Sequence, residues 1–294
     1  MTALYSQLIV GLINGCFYAL LSLGLAIIFG MLNIVNFAHG AFFMTGAFFA
    51  WFGLTQIGTW IGFDQFQLNY WWSLLLVPPA VGLLGVVIER TMLRHLYRLD
   101  PLYGMLLTFA LAWILEGLFR YWYGATGRPY EIPDELFGVV DIGFLLLPIY
   151  RVWVVVAALV VCFATWFLIE RTKLGSYLRA ATENPKLVEA FGINVPLLVT
   201  LTYGFGVALA AFAGVLAAPI MQVSPKMGSD LIIVVFAVVV VGGLGSIIGS
   251  IVTGLMLGVI EGLTKVIYPE ASAVVIFLIM SIVLMIRPAG LFGR

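Results

Sequence analysis

Charge is scarce in this sequence. Only 10% of its 294 residues are Asp, Glu, Lys or Arg, 14 of each sign, and none falls between Met1 and Phe63. Soluble domains carry roughly 25% charged and 45–50% apolar residues, whereas this chain is 63% hydrophobic, so an ordinary water-soluble globule is excluded. The zero net charge also removes the basic surface that nucleic-acid binding needs. Cysteine is nearly absent: Cys16 and Cys162 each sit inside an apolar run, which excludes a disulfide framework or a paired metal site and leaves packing as their role. No two histidines and no Asp/Glu cluster have metal-ligand spacing. No nucleophile has a base beside it in the sequence, so neither a metal nor a catalytic constellation is predicted. The G-x-x-x-x-G-K-[ST] loop that cradles nucleotide phosphates is missing as well, and any ATP used must be bound by another polypeptide. No Lys or Arg precedes the first long apolar run, so the positive start of a cleavable signal peptide is lacking and the first helix is expected to stay in the mature protein.

What the sequence has in abundance is apolar runs, and about 20 such residues cross the hydrocarbon core. They lie at roughly Tyr5 to Met31, Ala41 to Ile57, Trp71 to Ile88, Gly104 to Phe119, Val152 to Ile169, Leu197 to Met221, Leu231 to Val241, Ile247 to Leu263 and Ala273 to Ile286. This predicts an all-α polytopic membrane protein of eight or nine transmembrane helices, with residues 1–294 in a single transmembrane domain. The pair between Leu231 and Leu263 is either two short spans or one span plus a re-entrant piece, because Gly242-Gly243-Leu244-Gly245-Ser246 interrupts it.

Orientation follows from Lys and Arg, which concentrate in short cytoplasmic loops. Arg90, Arg94 and Arg98 share one connection, Arg171, Lys173, Arg179 and Lys186 another, and Arg287 and Arg294 flank the last span. The connection from Tyr121 to Tyr150 instead carries Glu131, Asp134, Glu135 and Asp141. The basic loops and the C-terminus are therefore expected in the cytoplasm; nine spans put the N-terminus outside and eight put it inside. Gly254, Gly258 and Gly262 recur every four residues, as do Gly245 with Gly249 and Ser246 with Ser250. Such small-residue stripes let helix backbones approach in lipid, and lining a pathway is the alternative role. Glu116 and Glu261 lie near span ends, and Lys265 one turn beyond Glu261 predicts a solvated helix-end pair.

Two segments carry more information. In the basic loop 170–196, Asn184 is a favourable N-cap, Pro185 suits the first helical position, and Gly192 falls where a left-handed residue ends a helix. Pro185 to Phe191 should form about two turns, a length that is marginal unless held against something. It is either an ordinary loop helix at the membrane surface or a docking helix that a soluble partner pushes. The second segment, Asn33-Ile34-Val35-Asn36-Phe37-Ala38-His39-Gly40, falls by parity on the cytoplasmic side yet contains no Lys or Arg. A break buried in the protein fits this better than a surface loop, because irregular backbone at membrane depth survives where protein covers it or where it lines a cavity. Asn33, Asn36, His39 and Gly40 are then candidates for the substrate pathway. The plain alternative is a polar turn capping two helices.

Arg179-Ala180-Ala181-Thr182-Glu183-Asn184-Pro185, followed by Ala190-Phe191-Gly192-Ile193-Asn194, resembles the coupling-loop signature of permeases of branched-chain amino-acid ABC importers. Asn33 to Ala41 resembles the early signature of the LivH branch of that family. Gly242 to Gly249 and the closing Arg287-Pro288-Ala289-Gly290-Leu291-Phe292-Gly293 are also similar to that branch. The resemblance implies a permease of ABC-importer type in the bacterial inner membrane. It further implies pairing with a second related permease, two cytoplasmic ATPase subunits and a periplasmic amino-acid-binding protein, with no cofactor in this chain. Glu183, Asn184, Pro185, Glu189 and Gly192 match the family's coupling segment, and coupling to the ATPase is carried to them. Transport of branched-chain, hydrophobic amino acids is the implied function, with other amino acids or urea-like amides as alternatives. An ATP-independent secondary carrier ranks lower because mid-span charges are nearly absent, and an intramembrane enzyme ranks last.

Overall fold

The computed structural model describes residues 2–57, 60, 67–141, 143 and 146–293. Arg294, one of the basic residues read as flanking the last span, lies outside them. The helices in chain order are α1 (Thr2–Leu32), α2 (His39–Thr55), α3 (Tyr70–Thr91), α4 (Pro101–Tyr123), α5 (Ile149–Glu170), α6 (Lys173–Glu183), α7 (Pro185–Ala190), α8 (Val195–Ala217), α9 (Met227–Gly242), α10 (Ile247–Ile267) and α11 (Val275–Ile286). Strands β1 (Val139–Asp141) and β2 (Leu146–Pro148) form a small antiparallel hairpin within the acidic connection.

Local chemistry sets many of the boundaries. Asn69 caps α3 by accepting from the Trp72 N–H at 3.1 Å, and Asp100 caps α4 from Leu102 at 2.9 Å with Pro101 in the first helical position. Each of the nine apolar runs falls on a helix. Among the described residues, six helices are long and apolar enough to cross a membrane: α1, α3, α4, α5, α8 and α10. Helices α2, α9 and α11, at 17, 16 and 12 residues, fall short of the roughly 20 that span the hydrocarbon core. Between Leu231 and Leu263 the chain makes two helices, because Gly243 (φ +99°) and Gly245 (φ +83°) adopt left-handed backbone that breaks the run.

Two compact units emerge. The first comprises Met1–Asn33, Gly138–Thr202 and Ile233–Arg294. Its centre is the antiparallel pair of α1 and α10, joined along the glycine stripe: a Cβ at Gly258 would lie 2.3 Å from the Gly15 Cα, and one at Gly254 would lie 2.6 Å from the Ala19 Cα. These stripe glycines therefore serve close helix packing. Ser22 Oγ donates to the Ser250 carbonyl across the same seam at 3.1 Å. Glu261 corrects an expectation here. Its pair with Lys265 forms (2.5 Å), but the side chain is only 12% exposed and also accepts from Tyr18 Oη of α1 at 2.7 Å, because the close helix approach brings that phenol across. In the same unit the N–H groups of Leu291 and Phe292 donate to the carbonyls of Val241 and Gly242 at 2.8 and 3.1 Å, capping the broken end of α9.

The second unit comprises Ile34–Phe137 and Tyr203–Ile232. Helix α2 is buried on all sides over most of its length, as expected of a helix that is apolar all round. Small residues again set the spacing, with a Cβ at Gly46 falling 2.4 Å from the Ala211 carbonyl. Arg128 and Val223 form an isolated antiparallel bridge, and the Arg128 guanidinium lies 5.6 Å from the Trp51 ring centre.

Candidate functional site

The break between α1 and α2 separates its four candidate residues. Asn33 ends α1 at φ +53°, a left-handed conformation that asparagine tolerates better than most residues. It donates its N–H to the Phe29 carbonyl at 2.8 Å, is exposed and belongs to the first unit. Asn36, His39 and Gly40 come together at the buried start of α2 in the second unit. The Asn36 amide is 1% exposed and held at both ends. Its Oδ1 accepts from the Ala38 N–H at 3.1 Å and its Nδ2 donates to Tyr203 Oη at 3.2 Å, while its own carbonyl accepts from His39 N–H at 3.1 Å. Local side chain to backbone bonding of this kind suits asparagine at a helix entrance. Thr108 of α4 accepts from the Phe37 N–H at 3.1 Å and pins the next stretch of backbone. His39 has no exposed surface. Gly40 faces Gly228, and a Cβ on it would lie 2.4 Å from that carbonyl.

One buried charged residue was missed in the sequence. Glu89, in the last turn of α3, is 1% exposed and accepts from Tyr97 Oη at 2.8 Å. Burial, reinforced by the charge of Glu89, pushes the Tyr97 phenol above its ordinary value, so it stays protonated and donates. The available signal was a glutamate directly after the apolar run ending at Ile88, but arginines follow it at 90, 94 and 98. A charge at that position reads equally well as loop.

The candidate coupling segment is built almost wholly from local rules. Asn184 Oδ1 accepts from the Leu187 N–H at 3.1 Å, and Pro185 opens α7. At the other end Gly192 takes φ +82°, its N–H reaches the Glu189 carbonyl at 2.9 Å, and the Ile193 N–H reaches the Val188 carbonyl at 3.4 Å. That pair of bonds is a Schellman motif, and its usual apolar contact is present because Ile193 packs against buried Val188. Val188 joins Ala181 of α6 and Val195 of α8 in a small core. Glu183, Asn184, Pro185, Glu189 and Gly192 are all exposed, as are Leu187 and Phe191 at 54% and 78%. The preceding helix α6 was not anticipated. It closes tightly onto α5, where a Cβ at Gly175 would sit 1.5 Å from the Ile169 carbonyl, and Arg179 bonds Glu170 at 3.2 Å.

The arrangement offers an exposed helix braced from behind, and a buried, largely neutral polar cluster at the start of a core helix. The family described as branched-chain amino acid transport system / permease component matches residues 7–284. The chain is 30% identical to the high-affinity branched-chain amino acid transport system permease protein BraD of Pseudomonas aeruginosa, over 98% of this chain and 95% of that one. It is 27% identical to the corresponding protein LivH of Escherichia coli K12, with the same coverage. Over 42% of its length it is 30% identical to the ribose import permease protein RbsC of Escherichia coli K12, covering 40% of that protein. No solved structure matches the chain.

Proposed function

The chain belongs to the branched-chain amino acid transport permease family, and from that membership we propose that it is the permease subunit of an ATP-driven importer of branched-chain, hydrophobic amino acids. It forms the translocation route with a second related permease, receives solute from an external amino-acid-binding protein and is driven by two ATPase subunits. The basic connections and the C-terminus lie in the cytoplasm in this reading, and the acidic 131–141 connection belongs to the surface that meets the binding protein.

The observation that carries the proposal is α7. A helix of six residues is too short to persist alone, yet this one is capped at both ends and braced by Val188 while Leu187 and Phe191 face outward. Exposed apolar side chains on a rigid, backed helix suit insertion into a groove on an ATPase, and Glu183, Asn184, Pro185, Glu189 and Gly192 set its shape. The buried cluster at Asn36, His39 and Gly40 supports a pathway role for the start of α2, since neutral donors and acceptors meet a zwitterion without the desolvation cost of a fixed charge. Weak contacts also suit a route that must release what it admits.

The test is reconstitution. Purified chain in liposomes alone should show no concentrative leucine uptake, whereas the chain with its neighbouring permease, ATPases and binding protein should take up leucine only with ATP. Concentrative uptake by the chain alone would make it a secondary carrier. Uptake of urea in preference to leucine by the full set would move the solute class.

A further inference from the structure

We infer that the first unit holds a second binding site, for a free apolar amino acid on the cytoplasmic side, whose occupancy restrains the coupling segment. The inference rests on the proposed reading of the basic connections as cytoplasmic and of α7 as the ATPase contact.

A cavity of about 600 Å³ lies among the end of α5, helix α6, the break between α9 and α10 and the closing turn of the chain. All of its lining belongs to the first unit. Part of that lining is charged and much of the rest is apolar: the ion pair of Glu170 with Arg179 shares the cavity with Leu244, Ile247, Ile248 and Phe292. The pair engages Arg179 Nη1 and Glu170 Oε2 at 3.2 Å, and neither side chain makes a further hydrogen bond or ion pair among the described residues. Arg179 therefore keeps most of its donors and Glu170 a whole oxygen. The side chains are 50% and 37% exposed, so a solute can reach them.

Neighbouring charges of opposite sign beside apolar side chains complement an α-amino acid with an aliphatic side chain. Its carboxylate accepts from the guanidinium, whose planar fork suits that group. Its ammonium donates to the open oxygen of Glu170, and its side chain leaves water against Leu244, Ile248 and Phe292, each of them exposed. An exposed ion pair contributes little stability by itself, so adjusting it to admit the ligand costs little. The cavity also touches the coupling machinery. Helix α6 is fastened to α5 at Gly175 and reaches α7 through Ala181 and Val188, whereas Leu244, Ile248 and Phe292 belong to the α9–α10 break and the chain end. A ligand held by both sets ties α6 and α7 to that break, so amino acid that has arrived in the cytoplasm slows its own import.

Proteoliposomes of the complete importer with the ATPases facing outward test this. Leucine-loaded binding protein is enclosed inside, ATP is supplied outside, and hydrolysis is followed as leucine is added outside, on the cytoplasmic face. Outside leucine should lower stimulated hydrolysis about fivefold at saturation, the low end of coupling between two sites. Leucinamide lacks the carboxylate, 4-methylpentanoate the ammonium and glycine the side chain; none should slow hydrolysis at the concentration where leucine halves it. Each variant is compared with itself without outside leucine. Ile248→Trp, which fills the cavity, should remove the inhibition. Glu170→Gln and Arg179→Lys should each raise the half-inhibiting concentration about tenfold, the scale of one hydrogen bond to a charged group. The inference is overturned if leucinamide or 4-methylpentanoate inhibits as strongly as leucine, or if Ile248→Trp and Arg179→Lys are both inhibited like the parent, which would place the effect in the translocation route. Adding phosphatidylethanolamine to phosphatidylglycerol vesicles separates a free amino acid from a lipid headgroup of like charge, and disappearance of the leucine effect would give the site to the lipid and overturn the inference. If loaded binding protein does not stimulate hydrolysis at all, the importer reading falls and takes this site with it. Stimulation that outside leucine leaves untouched removes this inference alone.

Discussion

Gly258 leaves no room for a methyl group, since its missing Cβ would lie 2.3 Å from the Gly15 Cα on a helix that cannot yield without moving its whole length. Gly117 in α4 is the opposite case, with no atom within 4 Å of the same position. Gly258→Ala should therefore cost about 1–3 kcal/mol by overpacking, whereas Gly117→Ala should be neutral or stabilising by up to about 1 kcal/mol through helix propensity. Thermal unfolding of the two variants in detergent checks this, and equal midpoints would sink the packing account. Gly258 was legible because a four-residue repeat of small residues is written along the chain. Glu89 was not, because its burial and its bond from Tyr97 are set by packing, while the arginines that follow it read as loop.

Helix α7 shows how far element boundaries follow from short-range rules. Its N-cap, opening proline and left-handed glycine all lie within nine residues of one another, so sequence alone placed the helix, one residue longer than it is. Asn184→Ala should cost about 1 kcal/mol by orphaning the Leu187 N–H, and Gly192→Ala about 1–2 kcal/mol, from backbone strain rather than from crowding. Both should lower solute-stimulated ATP hydrolysis by the complete importer while membrane insertion stays intact. Parent-level stimulated rates in both would remove α7 from the coupling path. The break between α9 and α10 obeys a longer-range rule. The glycines at 243 and 245 announce that the helix stops, but nothing nearby in sequence announces that Leu291 and Phe292 return to satisfy its last carbonyls.

For the whole molecule, the distribution of charge decides how the chain sits in the bilayer. Arg98 precedes α4 and Glu131 follows it, and α4 is one of the helices long enough to span. In intact cells Glu131→Cys should react with a membrane-impermeant thiol reagent and Arg98→Cys should not. The native thiols Cys16 and Cys162 are both buried and should contribute little background. Labelling at 98 alone would invert the orientation proposed from the basic loops.

Composition and hydropathy were enough to establish a multi-pass helical membrane protein, because twenty apolar residues in a row have one stable solution in lipid and that solution is local to each run. The Asn184 cap, the short helix α7 and the stripe of small residues were readable for the same reason: each is encoded within one or two turns. The grouping of Asn36 with Tyr203, and the burial of Glu89 against Tyr97, arose only on folding. So did the change in Glu261 from a solvated pair to a side chain shared with Tyr18. Buried polar groups must find partners wherever the packing of helices delivers them, and that delivery is a property of the assembled chain rather than of any window along it.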